Sequence, residues 1–273
     1  MITSTSNRRV RELRALAARP RERRETGLFL AEGRRLVEEA PEDLLEAVYC
    51  SESFAARPEH ESLLRRLQPE RMADSVFAAV SETQTPQGIL AVVRQRHWEL
   101  SDLTGGGRPL LILESIQDPG NLGTMLRTGE GAGIGGIVAN RETVDLYNPK
   151  TVRATMGSVY RVPFWVAGEL PDALAQIRTN GYRIYAAHLQ GACDYTETDY
   201  TGPCAFLIGN EGNGLTEAAA GLADAAIRIP MEGRVESLNA AIAATLLIYE
   251  ARRQRMQAGE NSPDCGMQNI LKN

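Results

Sequence analysis

From Pro109 onward, six short apolar runs recur along the chain, and helical patterns lie between most of them. The runs cover residues 110–113, 136–139, 163–166, 183–187, 205–208 and 226–229. Such alternation predicts an α/β fold, with a mostly parallel sheet and helices on both of its faces. Ligands of these sheets bind beyond the carboxyl ends of the strands. The residues that directly follow the apolar runs are therefore the first candidates for a functional site.

The first hundred residues have a different pattern, which predicts a small mixed domain. Apolar residues at Val10, Leu13 and Leu16 indicate an amphipathic helix over residues 7–18. The pattern further predicts strands at 28–31, 46–50 and 89–93 and a helix at 34–40. Three consecutive glycines then end a polar stretch before Pro109. We accordingly divide the chain into a domain over 1–98, a linker over 99–108, a second domain over 109–258 and a flexible tail over 259–273.

Composition argues against several classes of protein. No stretch approaches the roughly 18 apolar residues of a membrane span, and the arginine-rich N-terminus lacks the apolar centre of a signal peptide. We therefore expect a cytoplasmic location and no membrane partner. The four cysteines are scattered and the three histidines lie far apart in sequence, so no metal site is expected.

The charge of the chain is unevenly distributed. Its net charge of −5 argues mildly against a nucleic-acid partner, yet residues 1–24 contain eight arginines and only two acids. A charge run is most often a solvated helix face. The basic residues of this segment are all arginines, however, and the planar guanidinium of arginine suits bidentate contacts with phosphate. We hypothesise that this segment binds RNA.

The first motif that could form part of a functional site covers residues 111–133, where an apolar run leads through a Pro–Gly turn into a helix. Asn121 is placed to be the N-cap of that helix. Arg127 lies on the same helix close to Gly123, which is too small to block a ligand. The alternative is that Arg127 pairs with a surface carboxylate such as Glu130.

Residues 131–136, GAGIGG, formally match the dinucleotide-binding fingerprint but stand in the wrong place for it. The fingerprint needs its glycines between a strand and the helix that follows. Here they end a helix and lead into a strand, where glycine serves as a C-cap and a tight turn. This placement disfavours a Rossmann dehydrogenase, and equally a Rossmann methyltransferase.

A second motif, GNEGNG, follows the apolar run 205–208. It combines three glycines and two asparagines with a single acid, Glu211. Glycines at the end of a strand let the backbone approach a ligand closely. The alternative is a plain turn.

A third motif follows the run 226–229. Ser237 is placed as the N-cap of a helix over 238–255, with Asn239 on its first turn. A helix N-terminus presents free amides to a ligand, so capping and function are compatible. The helix itself is apolar nearly all round as far as Tyr249, which predicts burial in the core or against another subunit.

Three segments resemble, in order and spacing, the motifs of the SpoU (TrmH-like) RNA ribose 2′-O-methyltransferases of the SPOUT superfamily. They read NLGTMLRTGEGAG, LIGNEGNGL and IPMEGRVESLNAAIAATLLIYE. The stretch 148–163 is similar to the family's segment between motifs one and two. The pieces FLAEGRRLVEEA and SETQTPQGILAVV resemble, more loosely, a substrate-binding domain whose fold is similar to ribosomal protein L30e.

The resemblance implies a fold, a reaction and partners. The fold would be α/β with a C-terminal trefoil knot, preceded by a small L30e-like domain, and two chains would form a homodimer through the C-terminal domain. The reaction would be S-adenosylmethionine-dependent 2′-O-methylation of a ribose in structured RNA. The separate N-terminal domain favours ribosomal RNA by analogy. A transfer-RNA ribose methyltransferase and a non-catalytic RNA-binding or ribosome-assembly protein remain alternatives.

Carried over by position, the resemblance also assigns residues to roles. The implied catalytic residues are Arg127, Asn121, Glu211, Ser237 and Asn239. The implied cofactor contacts, largely through the backbone, are Gly209, Ile229, Met231 and Leu238. RNA contacts are expected from Arg8, Arg9, Arg11 and Arg34. One departure is Gly129, where the family usually has alanine, and glycine there loosens a helix by roughly 0.5–1 kcal/mol.

Overall fold

The structure is a computed structural model that describes residues 1–234 and 237–259. The chain divides into two units that each combine segments distant in sequence. The first consists of Met1–Trp98, Ser115–Arg127 and Arg141–Val162. The second consists of Glu99–Glu114, Thr128–Asn140 and the described chain from Pro163 onward.

Helices and strands are numbered here in chain order. Up to Arg94 they are α1 (Arg8–Ala18), α2 (Pro20–Thr26), β1 (Leu28–Glu32), α3 (Arg34–Glu39), β2 (Leu45–Ser51), α4 (Glu52–Ala55), α5 (Glu61–Leu67), β3 (Glu70–Met72), α6 (Asp74–Val80) and β4 (Ile89–Arg94). After Arg94 they are α7 (Leu100–Thr104), β5 (Leu110–Leu113), α8 (Pro119–Ala132), β6 (Gly136–Ala139), α9 (Pro149–Thr155), β7 (Phe164–Val166), α10 (Leu170–Thr179), β8 (Arg183–Ala187), β9 (Cys193–Asp194), β10 (Cys204–Ile208), α11 (Glu217–Gly221), β11 (Ala225–Arg228) and α12 (Ala240–Gln257).

The first unit is built on a four-stranded sheet with the order β1-β4-β2-β3. Strand β4 runs antiparallel to both β1 and β2, whereas β3 is parallel to β2. Helix α1 begins at the Asn7 N-cap, whose side chain accepts a hydrogen bond from the Arg9 amide. Its apolar residues Val10, Leu13 and Leu16 are buried in the core of this unit, as their spacing predicts.

The segment Arg141–Val162 belongs to the first unit through polar as well as apolar contacts. The buried guanidinium of Arg23 is paired with Asp145 at 2.7 Å and also donates to two carbonyls at the end of α1. The Tyr160 hydroxyl donates to the Leu36 carbonyl at 2.9 Å. The rings of Phe29 and Tyr147 pack with their centroids 4.7 Å apart. These contacts make the segment part of the N-terminal core.

The second unit is built on a seven-stranded sheet with the order β7-β6-β5-β10-β8-β11-β9. All of its strand pairs are parallel. Strands β5, β6 and β10 are fully buried, which explains their continuous apolar sequences. Because the strands are parallel, their carboxyl ends lie along one edge of the sheet.

Each of the six predicted runs forms a strand within a residue of its expected bounds, and the α/β prediction is confirmed. Strands β3 and β9 were not predicted, because two or three residues leave no periodic pattern. The segment predicted as a linker contains α7, whose Glu99 and Asp102 form a reciprocal capping box. The predicted tail, apart from Gly259, lies outside the described residues.

Two predicted helix caps are wrong. Asn121 lies inside α8 and donates its amide to Asp118 Oδ1 at 2.9 Å, so Asp118 performs the capping contact. Pro119 follows it in the first helical turn, where proline is favoured. At α12 the N-cap is Asn239 instead of Ser237, because the Asn239 side chain accepts from the amides of Ala241 and Ile242.

The glycines of 131–136 end α8 and begin β6, as predicted. Gly133 adopts a left-handed backbone with φ of 77°. A Cβ on Gly135 would lie 2.5 Å from the Leu103 carbonyl oxygen, and one on Gly136 would lie 2.5 Å from Leu103 Cγ. These two glycines therefore let α7 pack closely against the start of β6.

The described cysteines show no pairing. Cys50 and Cys204 are buried, and Cys193 is exposed. Burial raises the pKa of the Cys204 thiol to about 12, so this side chain is a neutral core residue. Cys265 lies outside the described residues. No described helix has both the length and the apolarity that crossing a bilayer requires.

Candidate functional site

A cavity of about 360 Å³ lies in the second unit, where strands β8, β10 and β11 reach their carboxyl ends. A volume of this order is usual for small-molecule sites. Its wall comes from the ends of those strands, the residues that follow them, the residues just before α12 and the first turns of α12. They are Ala187–Gln190, Ile208–Leu215, Ile227, Ile229, Met231, Ser237, Leu238, Ala240, Ala243 and Leu247.

The loop 209–215, here called the cavity loop, closes on itself. Asn210 and Gly214 exchange backbone hydrogen bonds of 3.0 and 2.9 Å. The Asn210 side-chain oxygen accepts from the amides of Gly212 at 2.9 Å and Asn213 at 3.1 Å. These hydrogen bonds fix the backbone conformation of the loop beside the cavity.

Gly209 is required at the entrance of the cavity loop. A Cβ at this position would lie 2.2 Å from the Gly214 carbonyl carbon and 2.3 Å from the Leu215 nitrogen. Real side chains do not approach backbone atoms so closely. Glycine alone lets the two sides of the loop meet here.

Six of the residues assigned by resemblance line this one cavity. Four are the predicted cofactor contacts, Gly209, Ile229, Met231 and Leu238. The other two are the predicted catalytic residues Glu211 and Ser237. Asn239 adjoins this wall in sequence as the N-cap of α12. Among the described wall residues Glu211 is the only acid.

The loop after β8 contributes residues that the sequence analysis did not select. His188, Leu189 and Gln190 line the cavity. The Gln190 amide donates to His188 Nδ1 at 3.2 Å, so that nitrogen is an acceptor and Nε2 carries the proton of the neutral ring. Their place directly after an apolar run was the signal that could have identified them.

The remaining two predicted catalytic residues lie on α8, in the part that belongs to the first unit. Asn121 is half-buried and Arg127 is exposed. Among the described residues Arg127 forms no ion pair, so the alternative pairing with Glu130 is not observed. On the same helix, a Cβ on Gly123 would lie 2.4 Å from Ala154 Cβ, which shows how closely α8 packs against α9.

The N-terminal arginines fall into three groups. Three of the four predicted RNA contacts are paired with carboxylates, in the pairs Arg8–Glu12, Arg9–Glu70 and Arg34–Glu38. Arg23 is buried and paired with Asp145. Within residues 1–24, Arg21 is also paired, with Glu25, and the exposed arginines without an ion pair to any described residue are Arg11, Arg14, Arg19 and Arg24. The last three were not selected from the sequence, because charge spacing does not reveal which arginines find a partner.

Two protein-family models match the chain. The model described as the SpoU rRNA Methylase family matches residues 108–249, and the model of the MRM3-like substrate binding domain matches residues 7–91. A curated relative, the 23S rRNA (guanosine(2553)-2′-O)-methyltransferase RlmP of Bacillus subtilis, is 34% identical over 92% of this chain and 98% of its own length.

Solved structures agree with these matches. The SpoU methyltransferase AviRb of Streptomyces viridochromogenes, in complex with AdoMet, has a TM-score of 0.83 and 28% identity, and covers 92% of this chain and 98% of that chain. An AdoMet-bound rRNA methyltransferase of Sinorhizobium meliloti has a TM-score of 0.80 and 34% identity, over 92% of this chain and 97% of that chain.

Proposed function

Because the chain belongs to the SpoU rRNA methylase family, we propose that it methylates a ribose 2′-hydroxyl of structured ribosomal RNA with S-adenosylmethionine. The observation that carries the proposal is the cavity at the ends of β8, β10 and β11, on whose wall all four predicted cofactor residues lie. The activity in the name of the Bacillus subtilis relative agrees with the reaction predicted from the sequence.

The cavity suits S-adenosylmethionine in size and chemistry. Apolar wall residues such as Ile229, Met231 and Leu238 can pack against the adenosine. The closed cavity loop offers backbone groups for hydrogen bonds, and Glu211 places a carboxylate on the wall facing a cationic ligand. The bound cofactor supplies a methyl group activated by its positively charged sulfur.

We assign the central catalytic role to Arg127. The ribose hydroxyl must lose its proton as its oxygen forms the bond to the methyl carbon and the carbon–sulfur bond breaks. A fixed guanidinium stabilises the negative charge that develops on that oxygen. Arginine stays protonated in proteins, so the proton passes instead to Glu211, or to a water or phosphate oxygen that Glu211 holds. S-adenosylhomocysteine leaves as the second product.

Asn121, Ser237 and Asn239 complete the proposed catalytic set. The amide side chains of Asn121 and Asn239 would orient Arg127 and the ribose, and Ser237 would position the loop or the substrate. As the N-cap, Asn239 has its side-chain oxygen held by two amides of α12, and this fixes the direction of the rest of its amide group.

We propose a division of labour between the domains, with RNA binding over 1–98 and methyl transfer over 109–258. The match of residues 7–91 to a substrate-binding domain supports this division. Arg11 and the other exposed arginines without ion pairs are the best phosphate contacts, because a guanidinium already paired with a carboxylate must first give up that partner. Since ribosomal RNA is the proposed substrate, we also propose a cytoplasmic location.

We propose a homodimer formed through α12. This helix exposes an apolar stripe at Ile242, Leu246, Tyr249 and Met256, which are 36% to 60% exposed. Their spacing places them along one side of the helix, as the face of an interface would be. Sedimentation of the full chain tests this: the wild type should be dimeric and Ile242→Glu monomeric. A monomeric wild type at micromolar concentration would rule the dimer out.

The trefoil knot implied by the resemblance is likewise a proposal, with α12 threaded through a loop formed by an earlier part of the chain. An experimental chain trace of the full-length protein tests it. A trace in which α12 lies outside that loop would contradict it.

The substrate is tested by mapping 2′-O-methylated riboses in RNA from cells with and without the gene. We expect a single ribosomal position to lose its methyl group when the gene is absent. Loss confined to transfer RNA would favour the transfer-RNA alternative. Unchanged methylation in both RNAs would support a non-catalytic role.

A further inference from the structure

A buried carboxylate just outside the cavity holds the far end of the cavity loop. Glu114 follows β5 directly and is 8% exposed. Its Oε2 accepts a hydrogen bond from the Thr216 amide at 2.9 Å, and its Oε1 accepts one from the Thr216 hydroxyl at 2.7 Å. A carboxylate that accepts two such bonds makes a strong and directional contact.

Thr216 is also the first fixed residue after the cavity loop. Its hydroxyl oxygen accepts from the Ala219 amide at 3.1 Å and thereby caps α11. At the other end of the loop, Ile208 pairs with Leu113 in the sheet, and its carbonyl accepts from the Glu114 amide at 2.9 Å. Strand β5 and the residue after it therefore hold both ends of the cavity loop.

We propose that Glu114 and Thr216 are positioning residues for cofactor binding, an inference that rests on the proposed function. Neither residue is among the described residues that line the cavity, whereas every residue of the loop 209–215 is. Their effect on a ligand must therefore pass through the loop. Glu114 lies within the first motif and Thr216 follows the second, so this contact links two segments that are separate in the sequence.

The expected effect follows from the population of the fixed loop. If loss of the contact leaves the loop in its binding conformation about one tenth of the time, the apparent Kd for S-adenosylmethionine rises roughly tenfold. The chemistry after binding is untouched. We therefore expect the KM for the cofactor to rise while kcat at saturating cofactor is retained.

Four variants separate this role from general stabilisation. Thr216→Val removes the hydroxyl, and Thr216→Ser keeps both donors to Glu114. Glu114→Gln keeps the size of the side chain and one acceptor oxygen. Thr104→Val is the matched control. It also removes a buried threonine hydroxyl, which donates to the Leu100 carbonyl at 3.1 Å, and Thr104 is not among the described residues that line the cavity.

The experiment is calorimetric titration of the full-length protein with S-adenosylmethionine, together with thermal unfolding of each variant. We expect Thr216→Val to weaken binding roughly tenfold, Glu114→Gln to weaken it less, and Thr216→Ser and Thr104→Val to bind like the wild type. Amide hydrogen exchange should be faster across 210–216 in Thr216→Val, less so in Glu114→Gln, and unchanged in Thr216→Ser and Thr104→Val.

Equal affinity of Thr216→Val and the wild type, with Thr216→Val folded, would overturn the positioning role. So would an equal loss of affinity in Thr104→Val, since the effect would then be one of stability. A wild-type protein that does not bind S-adenosylmethionine would instead refute the proposed function, so the two failures are distinguishable.

Discussion

Replacing Gly209 by alanine is the sharpest single test of how the cavity loop is built. The added methyl group would lie 2.2 Å from the Gly214 carbonyl carbon and 2.5 Å from its oxygen. Both are backbone atoms, so no side chain can rotate away. The loop must open to admit the methyl group.

The size of the effect can be worked out from these distances. An ordinary carbon–carbon contact is about 3.5 Å, so starting from 2.2 Å the two sides must separate by roughly 1.3 Å. The hydrogen bonds between Asn210 and Gly214, now 3.0 and 2.9 Å long, would then be lost. At about 1 kcal/mol for each bond the loop loses ~2 kcal/mol, which is about 30-fold in an equilibrium constant. We expect the Kd for S-adenosylmethionine to rise by that factor.

Gly212→Ala is the matched control for this prediction. It adds the same methyl group to the same loop, but its Cβ would meet only Asn210 Oδ1, at an ordinary 3.5 Å. Calorimetric titration with S-adenosylmethionine should show a large loss for Gly209→Ala and a small one for Gly212→Ala. Equal affinities of the two variants would refute the reasoning from close backbone contact.

Substitutions at three further places test the roles of Arg127, of the buried ion pair and of the exposed arginines. Arg127→Ala should abolish methyl transfer and leave calorimetric S-adenosylmethionine binding unchanged; turnover near the wild-type rate would remove Arg127 from the mechanism. Asp145→Ala leaves the buried Arg23 charge without its partner and should lower the free energy of unfolding in urea by about 3–5 kcal/mol. Glu12→Ala breaks the exposed ion pair with Arg8 and should change the free energy of unfolding by less than about 0.5 kcal/mol. Similar losses in the two variants would contradict the burial assigned to Arg23. The double replacement of Arg11 and Arg14 by alanine should reduce the salt dependence of RNA binding by about two phosphate contacts, and an unchanged slope would exclude both arginines from the RNA surface.

The sequence predicted the second unit's sheet well, because buried parallel strands are nearly continuous apolar runs. The six runs needed no tertiary information. Cap assignments were less reliable, since several residues near a helix start can serve as caps and local packing chooses among them. Asp118 and Asn239 form the caps that the sequence analysis assigned to Asn121 and Ser237. The backbone path before each helix determines which of these residues can form the cap.

The candidate site was predictable where its residues stand in motifs and not where they act through contacts distant in sequence. Gly209 and Glu211 stand out in a glycine-rich loop after a strand. Glu114 pairs with a threonine 102 residues away, and nothing in the local sequence indicates that contact. The only available signal was an acid directly after a buried strand. The ion pair of Arg9 with Glu70 could not be predicted either, because the two residues are distant in sequence.

The proposed function requires this protein to make a ribose methyl ether. The most direct measurement incubates the full-length protein with ribosomal RNA and S-adenosylmethionine carrying a tritiated methyl group, then digests the RNA to nucleosides. We expect tritium in one 2′-O-methylnucleoside with Arg127 present and none with Arg127→Ala. Label on a base, or no transfer by the wild-type protein to any ribosomal or transfer RNA, would contradict it.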